Sequence, residues 1–169
     1  MKNETKKIRI NKYLSENGIC SRRKADEFIL KGKITINGRM AKLGDQVSKE
    51  DEVRVDNIPI EVHPPKVYVA LHKPYGVITT MDKEANNTVL DYIKIKERIF
   101  PIGRLDVESS GLILLTNDGD FAQNITHAKF GQEKEYIVTV NKPVTSSFLA
   151  SLESGVNIGD ATTHQAKVK

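Results

Sequence analysis

Two proline-marked steps, Asn57-Ile58-Pro59 and Val62-His63-Pro64-Pro65, break the chain about a third of the way along. Proline lacks the backbone donor that a helix or inner strand needs and pushes the residue before it out of the helical region, so no regular element runs through both steps. The 169 residues suffice for one domain or two small ones, and a boundary over a linker at residues 56–66 fits this passage, with a core expected on each side. Charge changes at the same place. Residues 1–60 carry 14 Lys/Arg against 9 Asp/Glu and the remainder 12 against 13, while residues 1–42 alone carry 12 against 4. Such a local excess attracts a polyanion through its phosphates, although a merely solvated basic face accounts for the same counts.

The single cysteine, Cys20, excludes an internal disulfide framework. No run approaches the ~18 apolar residues of a membrane span, and Met1–Thr5 leads into charge rather than into a signal-peptide core. The expectation is a cytoplasmic protein without membrane contact. The four histidines, His63, His72, His127 and His164, show no ligand spacing, and neither a P-loop nor a dinucleotide fingerprint is present. No metal and no cofactor are expected.

In the basic part, Ile10, Tyr13 and Leu14 fall on one helical stripe that Asn17-Gly18 stops. Ser21 is a good N-cap for a second helix that turns Ala25, Phe28 and Ile29 to one face and ends at Gly32. Lys33–Ile36 alternates as a strand, Asn37-Gly38 is a two-residue hairpin signal, and Val47, Val53 and Val55 mark further strands. If the second helix crosses the first, Arg9, Arg22, Arg23, Lys24 and Lys33 come close together. Over residues 7–55 this pattern resembles the S4 RNA-binding domain, notably in Ile10–Leu14, Cys20–Asp26 and Ile34–Gly38. That resemblance implies that Arg22, Arg23 and Lys24 grip structured RNA. Cys20, with no histidine beside it in sequence, reads as a packing residue rather than an activated thiol.

Past the linker, Val67–Leu71 reads as a buried strand, His72–Gly76 as a bend and Val77–Thr80 as the strand resumed. Lys73 and Tyr75 line a nucleotide site or simply serve a tight Pro-Gly turn; the residues leave both open. Asn87–Ile93 reads as a short capped helix, Leu112–Leu115 as a strand, Phe121–Ile125 as a helix, Lys134–Val140 as a strand, and the segment after Pro143 as a helix. Between them lies the polar loop Gly103–Ser110, which places Arg104 two residues from Asp106 on a scaffold-held loop. A charge-assisted pair between them would hold the carboxylate ionised, as a nucleophile requires. A purely structural ion pair and a glycosidase-like Asp106/Glu108 pair are the alternatives. Tyr136 is either core or a ring that stacks on an extracted base.

Gly103-Arg104-Leu105-Asp106, with Ser109, Gly111-Leu112 and Leu115–Gly119, resembles the catalytic motif of the S4-domain-bearing pseudouridine synthases of bacterial ribosomal RNA. Leu71–Gly76 and Lys134-Glu135-Tyr136 resemble that family's substrate-loop and aromatic motifs, in the same order. The context Phe100-Pro101-Ile102, Glu133–Tyr136 and Gly155-Val156 leans toward the large-subunit (23S) enzymes over a 16S enzyme. The implied fold class is α+β: a small S4-like domain, then a mixed, mainly antiparallel catalytic domain over 67–169. Family members continue beyond the equivalent of Lys169, so that domain is expected to be incomplete, with a noncatalytic RNA-binding fragment as the alternative function.

The resemblance implies isomerisation of a specific uridine, in which the C–N glycosidic bond is cleaved, the uracil rotates and a C–C bond forms from C5. Asp106 is implied as the essential carboxylate, acting on the sugar, on the base or in glycal formation. Arg104 would position it and hold the flipped nucleotide, and Tyr136 would stack on uracil. The implied partner is a 23S rRNA stem-loop or the assembling large subunit, met by a monomer.

Overall fold

The computed structural model describes residues 7–60, 64–127 and 133–168; Val62-His63 of the expected linker lie outside them. The chain divides into two compact units, one up to Gln132 and one from Glu133. The first holds two separate hydrophobic cores.

In the basic part, β1 (Ile8–Arg9) precedes α1 (Ile10–Glu16), so the helix starts at the first residue of its apolar stripe. α2 (Arg22–Leu30) starts where expected, with the Ser21 hydroxyl accepting from the Lys24 amide. β2 (Ile34–Ile36) and β3 (Arg39–Met40) form the hairpin, and Asn37 and Gly38 both take positive φ (50° and 78°), as a tight primed turn requires. β4 (Gln46–Val47) pairs antiparallel with β1, while β5 (Val53–Val55) and β6 (Ile58–Pro59) complete an antiparallel sheet of order β3-β2-β5-β6. Ile10, Leu14, Ala25, Ile29, Ile34, Ile36, Val47 and Val53 fill the core between helices and strands.

After residue 64, β7 (Tyr68–Lys73), β8 (Phe100–Ile102) and β9 (Gly111–Thr116) form an antiparallel sheet with β9 in the centre. One face buries Ile113 and Leu115 against Val77, Val89 and Ile99; Leu112 on the other face is exposed. Residues 77–80 make one isolated bridge, Ile78 to Thr88, instead of the expected strand. Their backbone partners come from residues 87–89 rather than from a sheet neighbour. The expected helix over 87–93 is a single 3-10 turn, Val89–Tyr92, closed by a reciprocal cap between Thr88 and Asp91. α3 (Gly119–Thr126) follows β9 directly.

The second unit contains α4 (Ser146–Ser154), capped by the Thr145 hydroxyl, and a bridge between Asn157 and Thr162. The expected strand over Lys134–Val140 is not formed, and Ile137 is 99% exposed. A strand needs a neighbour for its backbone groups and a face to bury, and the described residues give this segment neither. Among the described residues, no helix is long and apolar enough to cross a membrane.

Candidate active site

The antiparallel register sets the site. Lys73, the last residue of β7, lies opposite Gly111, the first of β9, and β8 runs into the loop 103–110 that β9 leaves. The turn Pro74–Gly76 and the Asp106 loop therefore emerge at the same end of the sheet. Gly76 turns the chain at φ 82° and its amide donates to the Val107 carbonyl at 2.8 Å. The Thr79 hydroxyl donates to the Leu105 carbonyl at 2.7 Å and accepts from the Leu105 amide at 3.3 Å. Leu105 itself packs on the core that Val77, Ile113 and Leu115 share. The loop is thus sewn to residues 76–79 on both sides of Asp106.

Those residues are held in turn. The Asn87 side chain donates to the Gly76 carbonyl (2.9 Å), and Ile78 exchanges backbone bonds with Asn87 and Val89. Lys73 is fully buried, with Nζ donating to the carbonyls of Val77 (2.7 Å) and Pro74 (3.1 Å). Of the two readings open for Lys73, this geometry fits the clamp on the turn: its nitrogen faces backbone oxygens, not solvent. Tyr75 stands at the tip of the turn, 68% exposed.

Arg104 and Asp106 are both exposed, and the charge-assisted pair expected between them is not formed. Among the described residues neither side chain has an ion pair or hydrogen bond. With Leu105 drawn inward between them, both groups keep their hydration. A solvated pair is worth only about 0–1 kcal/mol, too little to order two side chains. The result is an unpartnered carboxylate on an anchored loop, open to a substrate. Tyr136 belongs to the second unit, where it is 76% exposed.

The basic residues meet different partners. Lys24 and Lys33 flank the Phe28 ring at 5.7 and 5.6 Å, but each also meets a carboxylate, Glu27 at 2.7 Å and Asp56 at 3.0 Å. Arg22 lines a cavity of about 250 Å³ with Ser15, Glu16, Phe100, Asn117 and Gly119, so it faces the β8–α3 region. On the same side Lys12 bonds Asp120, which holds the lysine above its usual pKa range. Arg9 and Arg23 are exposed and, among the described residues, unpaired. Burial pushes the Cys20 thiol up, outweighing the nearby charges of Arg98 and Lys24, in keeping with a packing role.

Sequence reasoning missed Thr79 and, although it marked Leu115–Gly119 within the catalytic motif, the anchoring role of a second group of residues. Thr79 carries no signal beyond a hydroxyl after an apolar pair. The second group is Thr116, Asn117 and Asp118, which bind the chain leaving the linker. Thr116 donates to the Val67 carbonyl (2.6 Å), and Asn117 bonds both Pro65 and Val67. Asp118 accepts from Lys66 and Tyr68.

A family model described as RNA pseudouridylate synthase matches residues 67–167, and an S4 domain model matches residues 8–53. This chain belongs to the RNA pseudouridylate synthase family. Among the pseudouridine synthases similar to it is the dual-specificity RNA pseudouridine synthase RluF of Escherichia coli K12, 44% identical over 164 residues. That match covers 96% of this chain and 57% of the relative, so the chain spans little more than half the relative's length. The ribosomal large subunit pseudouridine synthase B of Bacillus subtilis 168 is 40% identical, over 95% of this chain and 67% of its own. A solved pseudouridylate synthase shares 30% identity at a TM-score of 0.57, covering 95% of this chain and 71% of that one.

Proposed function

We propose that this pseudouridine synthase chain isomerises a specific uridine of 23S ribosomal RNA, with Asp106 as the catalytic carboxylate. The observation that carries the reading is the exposed, unpartnered Asp106 on a loop fastened on both sides, in a chain whose family converts uridine to pseudouridine. The large-subunit name of the Bacillus relative supports 23S over 16S RNA. Reaction at a glycosidic bond inside a folded RNA requires the nucleotide to leave its stack, so Asp106 acts on a flipped base, with Arg104 holding the nucleotide and Tyr75 beside its path. Tyr136 stacks on the uracil ring. An RNA-gripping domain (7–55), whose sheet runs on through β6 to Pro59 into the expected linker 56–66, precedes the catalytic residues 67–169. We place the protein in the cytoplasm, acting as a monomer on an rRNA stem-loop or the assembling subunit.

The test is conversion of 23S rRNA labelled with tritium at uridine C5, with the product position mapped. Release of tritium from one or a few uridines is expected. Conversion confined to 16S rRNA would overturn the large-subunit assignment. Binding with no conversion of any RNA would favour a second reading, a noncatalytic RNA-binding portion. That reading draws on the unpaired segment 134–140, whose apolar side chains Ile137 and Val138 are exposed.

RNA affinity should depend on the exposed cations. The variant Arg9→Ala/Arg23→Ala is expected to reduce the slope of log affinity against log salt by about 1–2. Arg22→Ala should change it less, because Arg22 faces Phe100 and Gly119. Filter binding at several salt concentrations measures both, and an unchanged slope in the double variant would count against the phosphate-gripping role.

A further inference from the structure

We propose that Thr79 is a positioning residue for the reaction, fixing the Asp106 carboxylate through the backbone of Leu105; this rests on the reading of Asp106 as the catalytic carboxylate. Thr79 is 7% exposed, so its hydroxyl acts on the protein rather than on a substrate. Its hydroxyl serves both backbone polar groups of Leu105, as donor at 2.7 Å and acceptor at 3.3 Å. A single side chain thereby does for Leu105 what a neighbouring strand would do, in a loop that pairs with no strand among the described residues. The Gly76 amide holds the Val107 carbonyl on the other side of Asp106. Asp106 is bracketed, its carbonyl accepts from the Ser109 amide at 3.0 Å, and its side chain is free to meet substrate. Thr79 is itself fixed, since Ile78 is bonded to Asn87 and Val89, and Val77 receives Lys73 Nζ.

The hydroxyl is the operative group, so the isosteric Thr79→Val should matter and Thr79→Ser should not. Without the hydroxyl, the Leu105 N–H and C=O lose their partner and the loop gains alternative positions. A carboxylate displaced by about 1 Å costs on the order of 100-fold in rate. Thr79→Val is therefore expected to lower kcat for tritium release from C5-labelled rRNA about 10- to 100-fold, with KM within about twofold, and Thr79→Ser to restore most of it. Amide exchange on the 169-residue chain supplies a readout that does not depend on turnover. In the unmodified chain the Leu105 amide should exchange at least about tenfold more slowly than those of Arg104 and Asp106, and Thr79→Val should erase that difference while leaving Ile113 protected. Equal exchange at all three amides in the unmodified chain would overturn the proposal, without any variant having to fold. So would a Thr79→Val protein with unchanged kcat, or one that loses KM alone. Full turnover by Asp106→Asn would instead sink the underlying reading of Asp106, which the exchange data do not touch.

Discussion

Asp106→Asn is expected to abolish uridine isomerisation, by at least about 10⁴-fold, while leaving the fold and RNA affinity in place. The substitution keeps the size and planarity of the side chain and removes its negative charge. Because the Asp106 side chain is exposed and makes no bond within the described residues, little stability depends on it, and the melting curve should move by no more than about 0.5 kcal/mol. The loss in rate corresponds to about 5–6 kcal/mol of transition-state stabilisation, more than positioning or binding effects at this loop supply. Single-turnover tritium release, thermal unfolding and filter binding measure the three quantities separately. A folded Asn variant that retained full turnover would remove Asp106 from the chemistry. Asp106→Glu sharpens the test: it restores the charge but carries it one methylene outward from a loop whose backbone is tied to Thr79 and Gly76, so activity should stay low.

The second large effect concerns stability. Asp118 is 8% exposed and caps α3 by accepting from the Phe121 amide at 3.1 Å, while also accepting from Lys66 Nζ at 2.5 Å and the Tyr68 hydroxyl at 2.8 Å. Burial pushes this carboxyl up, but the bonds from Lys66, Phe121 and Tyr68 outweigh it and bring the pKa from 3.8 to about 2. Asp118→Ala removes a helix cap and leaves the partners unpaired, at an expected cost of about 3 kcal/mol in urea unfolding at neutral pH. The acid dependence has a definite sign. A folded pKa below the unfolded one contributes stability that is complete above about 4 and is lost as pH falls through the folded value near 2. The full shift corresponds to roughly 2.5 kcal/mol, reduced to about 1–2 by solvent screening at the exposed Lys66 ammonium. The stability gap between the unmodified chain and Asp118→Ala should therefore narrow between pH 4 and pH 2. A constant gap would mean that the carboxylate's charge contributes nothing.

Local patterns made much of this molecule legible. The i, i+3, i+4 spacing of Ile10, Tyr13 and Leu14, the Ser21 cap and the Asn37-Gly38 turn each act within a few residues, and the structure realises all three. The loop bearing Arg104 and Asp106 was marked by its contrast with the apolar run after it. What escaped notice depends on partners far along the chain. Phe100-Pro101-Ile102 becomes a strand only because β9 offers an edge on which a proline is tolerated. Lys134–Val140 has strand composition but no strand beside it among the described residues. Lys73 has the formula of a surface cation, and its burial depends on two carbonyls presented by a turn four residues long. Thr79 matters through Leu105, 26 residues away.

The buried Lys73 side chain also works as a key against misregistration. Side chains alternate across a strand, so sliding β7 by one residue along β9 would turn Lys73 to the opposite face, away from the Val77 and Pro74 oxygens. It would also bring His72 toward the apolar layer of Ile113 and Leu115. Aliphatic neighbours such as Val69 and Leu71 tolerate such slippage far better than an amine that must find two acceptors. Lys73 thus penalises misaligned sheets during folding, and Lys73→Met would trade that proofreading for a greasier strand with more than one acceptable alignment.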